Sequence, residues 1–176
     1  MGYYLSIVFC VASRLIPHPA NVTPLGSLVF LNARKTSPLK GVMLALVVMV
    51  ISDIFLGFNY ATPFVYLGFT SYAFLGHFKK LNPVAAVLLG SLMFFVISNF
   101  GVWIGPWYDH TLSGLISCFV NAVPFFRNML VGDLVFVTTL VIAQRIVSKI
   151  NLNFNYNIKE IPRWHKKLSP ANLKKK

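Results

Sequence analysis

Three ionisable side chains stand inside long apolar runs of this sequence, where only a specific chemistry explains them. Asp53 follows twelve uncharged residues, Asp133 repeats the pattern in the last apolar run, and Arg14 is the matching cation in the first. In a bilayer such a group costs several kcal/mol unless it pairs with an opposite charge or faces a polar cavity. The sequence therefore predicts either buried ion pairs or a site that binds a ligand.

Motifs of enzymes and of metal sites are missing from the sequence. It contains no HExxH, no GxSxG, no glycine-rich phosphate loop and no CxxC. Asp109, His18 and His110 do not have the spacing of metal ligands. We therefore expect that the protein is not an enzyme and needs no cofactor.

The composition is that of an integral membrane protein. Hydrophobic residues make up 56% of the 176 residues and charged residues only 11%, whereas a soluble domain needs far more polar surface. A weaker apolar run at 111–126 is interpreted as a short outer-face or re-entrant helix between helices five and six. Six stronger runs are predicted to span the membrane, at about 2–16, 22–33, 39–58, 63–78, 84–104 and 128–149.

The predicted fold is an all-α integral membrane bundle with a tail. Residues 1–150 form its six-helix transmembrane domain, and residues 151–176 form a basic cytoplasmic tail that we expect to be mobile. The tail carries seven cations and one acidic residue. Its expected role is to fix the topology and to attract anionic lipid headgroups.

Lysine and arginine residues set the expected orientation. Arg34, Lys35 and Lys40 fall between the second and third segments, and Lys79 and Lys80 fall between the fourth and fifth. Because cytoplasmic loops are enriched in positive charge, we expect these connections and both termini to be cytoplasmic. The location would be the inner (plasma) membrane of the cell.

The scarce polar residues lie at similar predicted depths in the membrane, which indicates a candidate site. At about 1.5 Å per residue, Arg14, Asp53 and Asn99 lie about 20 Å or more from the inner ends of their segments, in the outer third of the membrane. Asp133 enters from the other side, roughly 8 Å below the outer end of the last segment, and is expected to reach the same layer. The predicted substrate-binding residues are Arg14, Asn21, Asp53, Asn99, Trp103 and Asp133.

Structural roles for the same residues stay open at this point. Arg14 and Asp53 could pair only to hold two helices together. Asn21 and Asn99 could form hydrogen bonds between helices, and Trp103 could belong to an aromatic belt at the membrane interface.

Several stretches, taken in order, resemble a known family. They are Arg14 to Pro17, Asn21 to Pro24, Ser52 to Asp53, Leu56 to Phe58, Phe94 to Trp103 and PFFRNMLVGDL at 124–134. They look like a family of uncharacterised bacterial candidate transport proteins, over residues 1 to about 148, and this family is distantly similar to the substrate-binding S components of energy-coupling factor (ECF) transporters. In the biotin-type S component, a Gly-Trp end of helix five and a Pro-Phe…Gly-Asp opening of helix six occur in the same order as Gly101 to Trp103 and Pro124 to Asp133.

The resemblance implies a ligand and partners as well as a fold. The ligand would be a vitamin-like small molecule held near the outer face of a six-helix bundle with both termini inside. S components work with a shared transmembrane subunit and two ATPases, on which they dock through an Ala-xxx-Ala pattern on helix one. Here the nearest equivalents are Ser6 and Cys10. No nucleic-acid partner is expected.

Two hypotheses of function follow from the sequence. The first is a substrate-binding membrane subunit of an uptake transporter for a vitamin-like micronutrient. The second is a non-transporting membrane scaffold or accessory subunit whose buried charges serve helix packing.

Overall fold

Residues 2–160 fold into six α-helices joined by short connections. The structure is a computed structural model that describes the backbone of residues 2–160 and the side chains of residues 2–150. The chain divides into two compact units, Met1–Thr139 and Leu140–Lys176, and the core and the site described below belong to the first. The helices are α1 (Tyr3–Leu15), α2 (Leu25–Lys35), α3 (Pro38–Leu56), α4 (Thr62–His77), α5 (Pro83–Ile104) and α6 (Leu112–Glu160).

Two helices begin at signals that are written in the sequence. Ser37 caps α3 by accepting a hydrogen bond from the Lys40 amide, and Asn82 caps α5 by accepting one from the Val84 amide at 2.9 Å. A proline follows each cap, where its fixed φ suits the first helical turn and its missing N–H is not needed. At its other end, α3 stops at Gly57, whose φ of 92° is a conformation that favours glycine.

Small residues let the inner helices approach closely. Eight of the eleven residues of α2 are buried, and α4 contacts α2, α3 and α5. A Cβ atom on Gly41 of α3 would lie 2.6 Å from the Ala33 Cβ of α2, and one on Gly76 of α4 would lie 2.7 Å from the same atom. Backbones this close are typical of helix contacts built from glycine and alanine.

The two basic connections lie at the same end of the bundle, as the orientation argument requires. Arg34, at the end of α2, donates hydrogen bonds to the backbone carbonyls of Leu81, at 2.7 Å, and of Lys79, in the α4–α5 connection. The Lys79 ammonium donates in return to the Arg34 carbonyl. The expected clustering of cations at one end is therefore present.

In the described part of the chain, three helices are long and apolar enough to cross a membrane, by length and composition. They are α3, α5 and the part of α6 from Leu112 to Ile150. The outer surface of α3 is apolar, since Ile54 is 66% exposed and Phe55 is 71% exposed. The remaining helices have 13 residues in α1, 11 in α2 and 16 in α4, shorter than an untilted crossing of about 20 residues.

Five of the six predicted membrane-spanning segments match observed helices within a few residues, whereas the sixth, at 128–149, lies inside the much longer α6. The separate short helix predicted at 111–126 does not exist, because α6 runs without interruption from Leu112 through Pro124. Proline removes one backbone hydrogen bond, here the one that the Val120 carbonyl would accept, but it does not end this helix. Of the predicted tail, residues 151–160 continue α6, and residues 161–176 lie outside the described part of the chain.

Candidate functional site

A cavity of about 510 Å³ opens at the end of the bundle opposite the basic connections. Its walls come from the α1–α2 connection, the ends of α3 and α5, the beginning of α4 and the first half of α6. The polar lining includes a charge pair, three amides and three hydroxyls, from Arg14, Asp53, Asn21, Asn59, Asn99, Thr23, Thr62 and Ser98. The apolar lining combines aliphatic side chains with five phenylalanines and two methionines, namely Phe69, Phe94, Phe95, Phe125, Phe126, Met49 and Met129.

The charge pair joins α1 to α3 at the edge of this cavity. The Arg14 Nη2 lies 2.7 Å from the Asp53 Oδ1, with 15% of the arginine and 7% of the aspartate side chain exposed. The Arg14 Nε donates a second hydrogen bond, of 2.7 Å, to the Ser52 Oγ, whose own hydrogen goes to the Val48 carbonyl at 2.9 Å. The predicted pairing of Arg14 with Asp53 is confirmed, and the two charges cancel at the cavity wall.

Asn99 presents hydrogen-bonding capacity to the cavity. Its amide nitrogen donates to the Phe95 carbonyl one turn earlier in α5, at 2.7 Å. Within the described part of the chain, its side-chain oxygen and second N–H have no other partner. They are available to a bound molecule. Asn21, also in the lining, is exposed and has a φ of 64°, a conformation that asparagine tolerates better than most residues.

The aromatic walls come from α4, α5 and the first half of α6. Phe69 of α4 and Phe94 of α5 have ring centroids 4.6 Å apart. Phe95 stacks on Phe126 of α6, with centroids 4.5 Å apart and planes inclined by 28°. The cavity is thus lined by phenyl rings as well as by charged and amide groups, which is the usual composition of a small-molecule site.

Four of the six predicted site residues line this cavity, namely Arg14, Asn21, Asp53 and Asn99. Trp103 does not. Its indole N–H donates to the Asp109 carbonyl at 3.1 Å, and its ring packs edge-on against His110, so it fixes the α5–α6 turn instead. The prediction that Trp103 lines the site is therefore wrong.

Asp133 is also absent from the cavity lining, and the reason is the continuity of α6. The predicted depth assumed a helix that begins near Asn128, but α6 begins at Leu112, so Asp133 lies about 32 Å along it. Its carboxylate is buried among hydroxyl groups of α2, α4 and α5. The expectation that Asp133 reaches the same layer as Asp53 is corrected accordingly.

One further polar group near the site is not predicted from the sequence. The Tyr66 hydroxyl on α4 is the one buried side-chain polar atom without a hydrogen-bond partner among residues 2–150. Buried hydroxyls almost always have partners, and the carboxylate beside this one is that of Asp53, which is already paired with Arg14. Nothing in the sequence distinguishes Tyr66 from the other six tyrosines.

The fold and the cavity together define a class: an all-helical protein with helices apolar enough to cross a membrane and an internal site with polar and aromatic walls. A family model described as a family of unknown function (DUF6580) matches residues 2–154. The chain therefore belongs to the DUF6580 family. No curated protein and no solved structure matches it.

Proposed function

We propose that the protein is the substrate-binding membrane subunit of an uptake transporter for a small, vitamin-like molecule. The observation that carries this proposal is the cavity of about 510 Å³, because it brings the scarce polar residues of four helices and their connections together with aromatic side chains. Its size falls in the range of about 300–1,000 Å³ that is typical of small-molecule sites.

The lining of the cavity indicates the chemistry of the ligand. Arg14 and Asp53 already neutralise each other, and His18 is the one other ionisable side chain of the lining, so a ligand with a net charge would find no unpaired guanidinium or carboxylate in the site. The amide of Asn99 and the hydroxyls of Thr23 and Thr62 offer hydrogen bonds, and the phenyl rings offer flat apolar faces. A planar molecule that is uncharged overall, or zwitterionic, and that carries several polar edge groups fits this set.

The proposed orientation has both termini in the cytoplasm and the cavity near the outer face of the inner membrane. The supporting observation is that Arg34 and Lys79 lie together at the end of the bundle away from the cavity. Positive residues near helix ends are retained on the cytoplasmic side. The proposal thus places all six helices in a multi-pass bundle.

An ECF-type transmembrane subunit and its ATPases are the proposed partners, in line with the resemblance of the sequence to S components. The docking surface must differ from the small-residue pattern on helix one, however. Ser6 and Cys10 are both fully buried inside this chain, where the Ser6 hydroxyl accepts a hydrogen bond from the Asn32 amide at 3.3 Å. The neighbouring Ala12 is exposed on the same helix.

The alternative function is a non-transporting membrane scaffold. One observation favours it: both charges of the Arg14–Asp53 pair have protein partners, and Ser52 completes the arginine contacts. A pair of this kind can lock α1 to α3 without a ligand. The scaffold hypothesis gives no role to the cavity.

Thermal stabilisation of the purified protein by a panel of water-soluble vitamins separates the two functions. A ligand present at about 100 times its Kd stabilises the folded state by about 2.7 kcal/mol. The proposal predicts that one chemical class raises the Tm of the wild-type protein and that Asn99→Leu abolishes the effect. Asn128→Leu is the matched control, because Asn128 is half-buried on α6 outside the cavity lining. A flat response of the wild type to the whole panel would support the scaffold.

A further inference from the structure

The buried carboxylate of Asp133 forms a second polar site, separate from the cavity. Only 3% of the residue is exposed. The Tyr72 hydroxyl donates to its Oδ2 at 2.6 Å, the Ser91 hydroxyl donates to the same oxygen at 2.8 Å, and the Ser27 hydroxyl lies 3.4 Å from its Oδ1. In residues 2–150 no arginine, lysine or histidine pairs with this carboxylate.

The fold builds a slot that holds Tyr72 against Asp133. The tyrosine is fully buried between two glycines, Gly26 of α2 and Gly90 of α5. A Cβ atom would lie 2.7 Å from its ring at the first position and 2.6 Å at the second, so neither position accepts a larger residue without movement. The serines that contact Asp133 directly follow these glycines, so the same Gly-Ser pair on each helix admits the ring and supplies a hydroxyl.

The hydrogen bonds of this site suit both forms of the carboxyl group. The Ser91 hydroxyl has one hydrogen and two acceptors within reach, the Val87 carbonyl at 3.0 Å and the Asp133 Oδ2 at 2.8 Å. When Asp133 is ionised, Ser91 and Tyr72 can both donate to it. When a proton is bound at Oδ2, the new O–H can donate to the Ser91 oxygen, and Ser91 turns its own hydrogen to Val87. One hydroxyl rotation therefore accommodates the change.

The site lies directly beneath the cavity. Phe69, Phe94 and Met129 belong to the cavity lining, and each lies three or four residues, one helical turn, from a member of the Asp133 site. Phe69 packs on both Tyr72 and Phe94, with ring centroids 6.2 Å and 4.6 Å apart. These three side chains form an apolar floor that separates Asp133 from the cavity by one layer.

We propose that Asp133 is a proton-binding site, which exchanges one proton with the cavity while the protein stays folded. Binding forms an O–H bond at the carboxylate, and release returns the proton to water that enters through the floor. Tyr72, Ser27 and Ser91 are positioning residues that hold the carboxyl group in either form. Tyr72 is the one titratable side chain in contact with Asp133 in the described part of the molecule, since α2 and α5 present serines. The inference goes beyond the proposed function and stands without it.

Infrared difference spectroscopy between low and high pH tests the proposal on the full-length protein in lipid nanodiscs. We expect the carbonyl stretch of a protonated carboxylic acid at low pH and its loss at high pH, with the conservative variant Asp133→Asn lacking the band. Asp53→Asn, which removes the other buried carboxylate among residues 2–150, should retain it. Tyr72→Phe should keep the band but shift both its frequency and its titration midpoint, because the phenyl ring still fills the glycine slot while one donor is lost.

Three outcomes would overturn the assignment. The first is that the wild type and Asp133→Asn give identical spectra at every pH at which both are folded. The second is a carbonyl band that does not change with pH. The third is a carboxylate signal that changes with added sodium at constant pH. The last would make the site one for a metal cation. The route is tested by hydrogen–deuterium exchange of the band, which Phe69→Ala should accelerate relative to the control Phe74→Ala on the exposed face of α4. Equal exchange rates in these two variants would contradict access through the floor.

Discussion

Replacing one partner of the Arg14–Asp53 pair should lower the stability of the protein at least as much as replacing both partners together. Each side chain is at least 85% buried, and the charged atoms are 2.7 Å apart. Breaking a buried pair by deleting one partner typically costs about 3–5 kcal/mol, because the other charge stays buried without compensation. We take about 3 kcal/mol for Arg14→Gln or Asp53→Asn, since part of the arginine is exposed.

The double variant should lose no more stability than one single variant. Neither charge remains in it, so the penalty for an isolated buried charge disappears. The coupling energy is then at least about 3 kcal/mol, at the upper end of the range for residues in contact. Each single variant should lower the Tm by about 6–12 °C, at about 2–4 °C per kcal/mol for a chain of this size.

The assay uses the two native cysteines as reporters. Cys10 is fully buried and Cys118 is 2% exposed, so a thiol-reactive fluorophore should label them only as the protein unfolds on heating. Ser52→Ala is the control, because it removes one acceptor of Arg14 and leaves the ion pair, at an expected loss of about 1 kcal/mol. Losses in the two single variants that add up in the double variant would refute the energetic coupling.

Two other predictions concern packing around the sites. Gly90→Ala would place a Cβ 2.6 Å from the Tyr72 ring and should lower stability by about 1–3 kcal/mol. The control Gly2→Ala has open space around it and should leave stability unchanged. Equal melting temperatures for these two variants would contradict the close fit of Tyr72 between the glycines. Trp103→Phe loses the hydrogen bond to the Asp109 carbonyl and should cost about 1 kcal/mol without altering stabilisation by a ligand. If Trp103→Phe is no longer stabilised by the ligand, Trp103 belongs to the binding site.

The helices were predictable because their ends carry local signals. The segment expected at 39–58 is α3 at Pro38–Leu56, and the one expected at 84–104 is α5 at Pro83–Ile104. In both, a capping residue followed by proline marks the start. The Arg14–Asp53 pair was predictable as well, because an apolar chain offers few partners for a buried charge.

The course of α6 was not predictable from its sequence. Pro124 follows an apolar run and precedes Arg127 and Asn128, a pattern that equally marks the break between two helices. Whether the helix continues depends on neighbours that satisfy the freed carbonyl or pack against the bend, and these neighbours are distant in sequence. The error on Asp133 follows directly, since its depth was counted from the wrong starting point.

No single residue of the sequence identifies the hydrogen-bond partners of Asp133. Ser27 and Ser91 lie in apolar runs where serine normally bonds to its own helix, and Tyr72 is one of seven tyrosines. The pattern that could have found them is the Gly-Ser-Leu sequence that occurs in both α2 and α5. The aromatic floor depends on the mutual rotation of three helices, which periodicity does not fix because these helices are apolar all round.

Native mass spectrometry of the protein released gently from its own membrane tests the central proposal most directly, because it detects a bound molecule whatever the identity of that molecule. A small-molecule adduct, bound one to one, is expected on the wild-type protein and not on Ser98→Phe, whose larger side chain would occupy the cavity beside Asn99. Phe74→Ser, on the exposed face of α4, should keep the adduct. If the wild type carries no adduct, and none forms when the vitamin panel is added, the cavity is not a binding site and the proposal fails.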